Sequence, residues 1–225
     1  MYYSAEARWF FAGALPDSMT AWFDPSDSAR TEAERTDEYL LLPGCTTTGV
    51  KLRESRLEIK AQIQASGKAP YGDSVTGYRD AWVKWSRPVT DGRGLRNVRS
   101  ADDDRWVYVE KARRLRILSL DTDAPTELTD FGGHVTDGCQ FELSTVRGAL
   151  GVLDQPPSGD DWAAASPWWS LSLEAFAPRF GDGTDRLYAN LDAGARYVFS
   201  SPPPLALTAV ASRSYPAWLQ QFVDR

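Results

Sequence analysis

The charged side chains that could carry chemistry recur at alternate positions within short, otherwise apolar segments. Alternate residues of a strand share one face, so each such pair places two charges on the same side. Paired bases can bind phosphate oxygens, and an arginine can do so through two parallel hydrogen bonds. Nearby carboxylates can hold Mg²⁺, which usually takes one or two of them and completes its shell with phosphate oxygens and water. The pairs are Glu6 with Arg8, Lys51 with Arg53, Glu58 with Lys60, and Lys111 with Arg113.

This alternation fits two structural interpretations. In the first, each strand is half-buried and its charged face meets water, which is the common arrangement in antiparallel sheets. In the second, the charged faces point into a barrel too wide to be filled by side chains, and bases from several strands surround a polyanion. The intervening apolar residues, such as Ala7 and Trp9 or Leu171 and Leu173, fit both interpretations.

Strand-like segments follow one another too closely for helical crossovers. Pro43-Gly44 and Ser55 separate three of them, and such short connections favour antiparallel hairpins. The predicted strands cover 6–11, 37–42, 47–54, 56–62, 81–87, 106–120, 139–146 and 168–176. The sequence therefore predicts a mainly β (α+β) fold, a single domain over residues 1–225. About eight strands with a few peripheral helices point to a barrel or a sandwich, and the alternation of charge with short connections favours an antiparallel, closed or nearly closed barrel.

The remaining segments are predicted as helices and loops. A short helix is expected at 16–23, where Pro and Asp occupy the first turn, and another at 215–223. The segment from about 186 to 204 fits neither pattern clearly. Loops are predicted at 24–36, 66–77, 91–105 and 154–161 because these stretches are polar, charged or rich in Gly and Pro.

The order of the charged segments resembles the CYTH, or triphosphate tunnel, superfamily over nearly the whole chain. Members of that family open with a strand bearing Glu-x-Glu-x-Lys, and the matching stretch here is Ser4-Ala5-Glu6-Ala7-Arg8. The later matches are Asp37-Glu38-Tyr39-Leu40, Lys51-Leu52-Arg53, Leu57-Glu58-Ile59-Lys60, Lys111-Ala112-Arg113, Phe141-Glu142-Leu143, Ser172-Leu173-Glu174 and Ser214-Tyr215. Ser4 and Ser172 stand where the family tends to carry acids, which leaves open a reduced metal site, an altered metal preference or a loss of catalysis.

The resemblance implies a hydrolase that depends on a divalent metal, Mg²⁺ or Mn²⁺, and binds inorganic tripolyphosphate or an organic triphosphate in a basic tunnel. It implies catalytic roles for Glu6 and Arg8. The implied metal ligands are Glu6, Glu142 and Glu174, and the implied phosphate ligands are Lys51, Arg53, Lys60, Lys84, Lys111 and Arg113. Two alternatives remain open: a CYTH-like module that binds a phosphorylated ligand or nucleotide without turnover, and an all-β protein whose charges face water.

Composition limits the other classes of function. Hydrophobic residues make up 42% of the chain, with nine each of Trp, Tyr and Phe, which is enough for a sizeable core. A net charge of −6 argues against a general nucleic-acid binder but does not exclude a local basic cavity. Two cysteines and no basic-then-apolar leader predict a cytoplasmic protein with free thiols, and the lack of a long apolar run predicts no membrane partner.

Other catalytic and metal-binding patterns are missing from the sequence. The single histidine, His134, has no Cys or His at metal-binding spacing, so it is predicted to be a loop residue. The sequence contains no Gly-x-Ser-x-Gly elbow and no Walker A or dinucleotide-binding fingerprint.

Overall fold

In the computed structural model the chain forms a closed, eight-stranded antiparallel barrel. The structure describes residues 1–89, 106–121, 125–128, 135–151, 156–178 and 183–223. Its strands are β1 (Tyr2–Ala12), β2 (Arg30–Leu40), β3 (Thr48–Arg53), β4 (Arg56–Gly72), β5 (Val75–Pro88), β6 (Trp106–Ser119), β7 (Thr126–Leu128), β8 (Gly138–Gly151) and β9 (Pro167–Phe176). They pair in the order β2-β3-β4-β5-β1-β9-β8-β6, and pairing of β6 with β2 closes the ring. The short strand β7 pairs with the C-terminal end of β6.

Four short helices in the described residues accompany the barrel. They are α1 (Asp17–Phe23), α2 (Gly159–Ala164), α3 (Asp185–Val198) and α4 (Tyr215–Leu219), with a 3₁₀ turn (Gln220–Phe222) after α4. The Ser214 side chain caps α4 by accepting a hydrogen bond from the Ala217 amide. Within the described ranges, every helix falls short of the length and apolar character needed to span a bilayer.

The largest apolar core lies outside the barrel, between α3 and the outer faces of β1, β9 and β8. Ala7, Trp9, Leu171 and Leu173 are each at most 1% exposed and belong to this core. Gly194 lets α3 approach β8 closely, because a Cβ at this position would lie 2.5 Å from the Cys139 sulfur. The helix thus covers the apolar face of the alternating strands, which leaves their charged face directed into the barrel.

Two loop predictions were wrong, and a third was wrong in part. The segment 24–36 is half strand, because β2 begins at Arg30; its mostly polar sequence has no apolar face that would reveal it. The segment 66–77 is the tip of a long β4–β5 hairpin that absorbs its glycines through register shifts between Ala65 and Lys68 and between Pro70 and Gly72. Helix α2 begins inside the predicted loop at 154–161.

The other element predictions agree with the structure. The eight predicted strands and both predicted helices are present, and several of the strands are longer than predicted. The segment from about 186, which the sequence left unassigned, contains α3. The short strand β7 was not predicted. The predicted loop at 91–105 and His134 lie outside the described residues.

Candidate functional site

All ten residues predicted for the site line one cavity of about 140 Å³ inside the barrel. They come from seven of its eight strands, so distant parts of the sequence meet there only after the barrel has closed. The ten are Glu6, Arg8, Lys51, Arg53, Lys60, Lys84, Lys111, Arg113, Glu142 and Glu174. The structure thus brings the predicted set together, while the chemical roles implied for its members stay predictions.

Basic side chains outnumber acidic ones in this cavity. Eight bases line it, Arg35 being the one that the sequence did not single out, against four acids that include Glu58. Two further acids, Asp37 and Glu32, contact lining bases, so this cluster retains an excess of two positive charges. A protein with a net charge of −6 therefore encloses a basic interior.

One acid of the cluster, Asp37 on β2, is completely buried and contacts two lysines. Its Oδ2 lies 3.0 Å from Lys111 Nζ and 3.3 Å from Lys51 Nζ. Burial opposes ionisation of Asp37, but these lysines and Arg35 outweigh it and hold its pKa well below the ordinary value. Burial also lowers the pKa of Lys51 and of Lys111 to about 8, although Asp37 opposes that shift. Both lysines can therefore lose their protons at moderately alkaline pH.

A second acid, Glu58 on β4, forms ion pairs with three bases from neighbouring strands. Its Oε1 accepts from Arg53 Nη2 at 2.8 Å, and its Oε2 lies 3.1 Å from Lys51 Nζ and 3.2 Å from Lys84 Nζ. Burial alone would raise the pKa of Glu58, but Lys51 and Lys84 outweigh it, so the pKa is lowered. Lys51 bridges Glu58 and Asp37, which links these two clusters into one network along β2, β3 and β4.

Glu142 on β8 lies across the barrel from Glu58 on β4 and pairs with two arginines. Its Oε2 lies 3.0 Å from Arg113 Nη1, and its Oε1 lies 3.4 Å from Arg8 Nη1. The Ser144 hydroxyl donates to the same Oε1 at 2.8 Å. Burial would raise the pKa of Glu142, but Arg8 and Arg113 outweigh it and lower the pKa to about 2. Arg113 also contacts Glu32, which ties this side of the barrel to β2.

The carboxylates of Glu6 and Glu174 share the ammonium group of Lys60. The two acids are direct partners in the β1–β9 register. Lys60 hydrogen-bonds Glu6 and lies 3.6 Å from Glu174 Oε1. Burial and Glu174 raise the pKa of Glu6 despite Lys60, whereas Lys60 and Lys84 overcome burial at Glu174 and lower its pKa. Glu6 and Glu174 are thus held on adjacent strands by one shared base.

The fit of a metal ion to these carboxylates is partial. In the part of the chain that the structure describes, no three acidic, His or Cys side chains are grouped closely enough to hold a metal. Glu142 takes Arg8, Arg113 and Ser144 as partners and stands apart from the Glu6–Glu174 pair. Two carboxylates suit a Mg²⁺ ion whose other ligands are phosphate oxygens and water, but they do not make a metal site of protein groups alone.

Ser4 and Ser172, which align with acidic positions in the resemblance described above, are both buried. Ser4 is 1% exposed and Ser172 is 2% exposed, on the same strand faces as Glu6 and Glu174. Within the described residues the Ser4 hydroxyl has no hydrogen-bond partner. Neither serine contributes a negative charge on the strand faces that carry Glu6 and Glu174.

Aromatic residues close one end of the cavity. Tyr215, at the start of α4, stacks on Tyr39 with ring centroids 5.5 Å apart, and Lys111 Nζ lies 4.0 Å from the Tyr215 centroid. Behind them Trp218 packs on Phe10 at 5.2 Å. Gly148 makes room for this plug, since a Cβ there would lie 2.6 Å from the Phe222 ring. The C-terminal helix thus forms the floor of the site.

Several residues that complete the site carry no predicted role. Glu58 shares a strand face with Lys60, and this alternation is the signal in the sequence that could have found it. Asp37 and Arg35 lie on β2, where nearly every residue is polar and alternation cannot mark the inner face. The contact between Tyr39 and Tyr215 joins residues far apart in the sequence, and no local pattern predicts it.

Comparisons with known proteins assign no family to this chain. No family model and no curated protein matches the sequence. Among solved structures, the PH1012 protein from Pyrococcus horikoshii OT3 aligns with 95% of this chain and 98% of its own, with 13% sequence identity and a TM-score of 0.43. The chemistry of the cavity itself must therefore decide between functions.

Proposed function

We propose that the barrel cavity binds a small polyanion that carries linked phosphate groups. The observation that supports this proposal is the convergence of eight basic side chains, from strands all around the barrel, on one interior space. Charged residues are seldom buried unless they are paired or have a ligand. A structural role alone would be met by equal numbers of acids and bases, whereas this cluster has a positive excess.

The ion pairs within the cavity explain how such a site stays folded without its ligand. Asp37 forms ion pairs with Lys111 and Lys51. Glu58 forms ion pairs with Arg53 and Lys84. A phosphate oxygen entering the cavity replaces part of the carboxylate contact of each base, so no base has to be desolvated again on binding. Charge-assisted hydrogen bonds of this kind are among the strongest that a protein offers.

The size of the cavity favours a compact ligand. Pockets that enclose a whole drug-sized molecule usually have volumes of about 300–1,000 Å³. A cavity of about 140 Å³ suits a short phosphate chain, and any organic group attached to that chain would extend out of the barrel. Inorganic tripolyphosphate is therefore the simplest probe.

A thermal unfolding experiment tests this function. At about 100 times its dissociation constant, tripolyphosphate should add about 2.7 kcal/mol to the free energy of unfolding and raise Tm measurably. Sodium sulfate at matched ionic strength serves as the control for general salt effects. An equal Tm with and without millimolar tripolyphosphate, in the presence and absence of Mg²⁺, would contradict the proposal.

A second candidate, metal-dependent hydrolysis of the bound triphosphate, is favoured by the Glu6–Glu174 pair. These two carboxylates would hold Mg²⁺ or Mn²⁺ jointly with the phosphate ligand. A metal held there supplies neutralisation of phosphate charge and a bound water of lowered pKa. Arg8 and Arg113 orient the phosphate chain from the Glu142 side, and Lys60 keeps the carboxylate pair in place.

Phosphate release separates the two candidates. Hydrolysis predicts release of phosphate from tripolyphosphate or a nucleoside triphosphate only when Mg²⁺ or Mn²⁺ is present. Binding of the same ligand with no release over a range of metals would leave the binding function and overturn the hydrolase. This comparison uses the intact chain and needs no variant.

A further inference from the structure

A second groove lies outside the barrel, between the tip of the β4–β5 hairpin and helix α3. It has a volume of about 360 Å³ and an open mouth. Its lining is basic: Lys68, Arg79 and Arg196 stand against a single acid, Asp192. None of these residues belongs to the barrel cavity, so the groove is a separate feature of the molecule.

The β4–β5 hairpin has an irregular backbone where it borders this groove. The register of β4 and β5 shifts between Ala65 and Lys68, and Gly67 takes a φ of 79°, in the left-handed region. A bulge of this kind re-aims the side chains that follow it. Here it precedes Lys68, which lies at the groove beside the buried Ala69.

Arg79 is held at the groove by contacts with α3. Its Nη1 lies 3.4 Å and 3.3 Å from the two carboxylate oxygens of Asp192, and its guanidinium carbon lies 5.1 Å from the Tyr188 ring centroid. These contacts fix the guanidinium but leave it about one-third exposed. Arg196 lies one turn further along the same helix, and its side chain is exposed.

The groove also contains a buried polar group without a partner. Tyr71 is 7% exposed and packs edge-to-face on Trp9 at 5.8 Å. Its hydroxyl oxygen is inaccessible to water and makes no hydrogen bond within the described residues. A buried hydroxyl left unpaired costs stability, but this one is shielded from the groove, so the charged side chains must carry any binding there.

We infer that this groove binds a phosphate group, either as free inorganic phosphate or as a phosphate monoester. Three bases against one acid leave two positive charges, which match a phosphate dianion better than a carboxylate. Lys68, Arg79 and Arg196 supply this charge. The inference concerns a site outside the barrel and does not depend on the function proposed for the cavity.

An NMR titration of the 225-residue chain tests it, with inorganic phosphate in one arm and glycerol 3-phosphate in the other. The backbone amides of Ala69, Tyr71 and Ala195 should shift and saturate, and the arm with the tighter binding identifies the source of the phosphate. Amides of Lys111 and Ser172 report on the barrel cavity separately, so a failure at one site is read apart from a failure at the other.

Three variants complete the test. Arg196→Gln should weaken phosphate binding at the groove about tenfold, whereas Arg87→Gln, on the exposed outer face of β5, should leave it unchanged. Tyr71→Phe should leave binding unchanged while raising the Tm of the ligand-free protein, since it removes an unpaired buried hydroxyl that does not reach the groove. Absence of saturable shifts at the three amides, or unchanged affinity in Arg196→Gln, would overturn the inference.

Discussion

Glu6 on β1 lies directly opposite Glu174 on β9, and the ammonium group of Lys60 contacts both carboxylates. Two acids held this close favour ionisation of one over the other, so burial and Glu174 raise the pKa of Glu6. A divalent cation relieves the same repulsion more fully than a single lysine does. The pair is therefore the place in the cavity where a metal would matter most.

Glu6→Gln should lower metal-stimulated phosphate release by at least about tenfold. The amide is nearly isosteric but cannot supply the negative charge that holds a divalent ion. Folding should be little affected, because Lys60 keeps Glu174 as a partner. Phosphate release and denaturant unfolding of the same samples measure both effects, with Glu34→Gln on the exposed side of β2 as the control. Full activity in Glu6→Gln would contradict the metal role of Glu6.

Glu142→Gln should make the free energy of unfolding less dependent on pH in the acidic range. The pKa of Glu142 is lowered from 4.5 to about 2 in the folded protein, so its contribution is present above pH 4.5 and is lost as the pH falls towards 2. A shift of this size corresponds to about 3 kcal/mol. Urea unfolding at several pH values between these limits measures the loss. An equally steep decline in the wild type and in Glu142→Gln would contradict this assignment.

Asp37→Ala should destabilise the barrel by about 3–5 kcal/mol, the usual cost of removing one partner of a buried ion pair. Lys111 would keep the hydroxyl of Tyr39 as an acceptor but would lose its buried counter-charge. The exposed Asp17→Ala, in the first turn of α1, provides the control and should change stability little. A loss below 1 kcal/mol at Asp37 in denaturant unfolding would show that the network contributes less than the geometry indicates.

Ligand affinity should fall as the pH rises through about 8. The pKa values of Lys51 and Lys111 are lowered to about 8 by burial, so both lysines deprotonate there and lose their attraction for phosphate. Conversely, a bound polyanion favours the charged lysines, and binding near this pH should take up protons. Calorimetry in buffers of different ionisation enthalpy measures that uptake. Lys51→Arg keeps its charge and should reduce the uptake, while an uptake equal to the wild type would contradict the role of Lys51.

The sequence predicted the β-barrel and its charged faces because β1, β8 and β9 alternate strictly. In β1, the apolar residues Ala7 and Trp9 alternate with Glu6 and Arg8, and this pattern marks two opposite faces. Which face pointed inward could not be decided from the strands alone. The inward face is set by α3, because its apolar residues, such as Leu187 and Leu191, cover the uncharged side of the sheet.

The parts that escaped prediction are those where local sequence carries little information. The first part of β2, residues 30–36, was predicted as a loop because it is almost entirely polar and shows no apolar face. The β4–β5 tip reads as a loop because Gly67, Pro70 and Gly72 break the strand pattern, yet register shifts accommodate them in the hairpin. The plug formed by Tyr215 and Trp218 depends on contacts that exist only in the closed barrel.

Calorimetric titration of tripolyphosphate into the wild type, Arg53→Gln and Arg87→Gln tests the proposed polyanion site most directly. Arg53 faces the cavity, and its removal leaves Glu58 with two lysines, so the variant should fold. Arg87 is exposed on the outer face of β5. The account predicts one site in the wild type, about tenfold weaker binding in Arg53→Gln, and unchanged binding in Arg87→Gln. Equal affinities in all three proteins, or no saturable heat in the wild type, would contradict it.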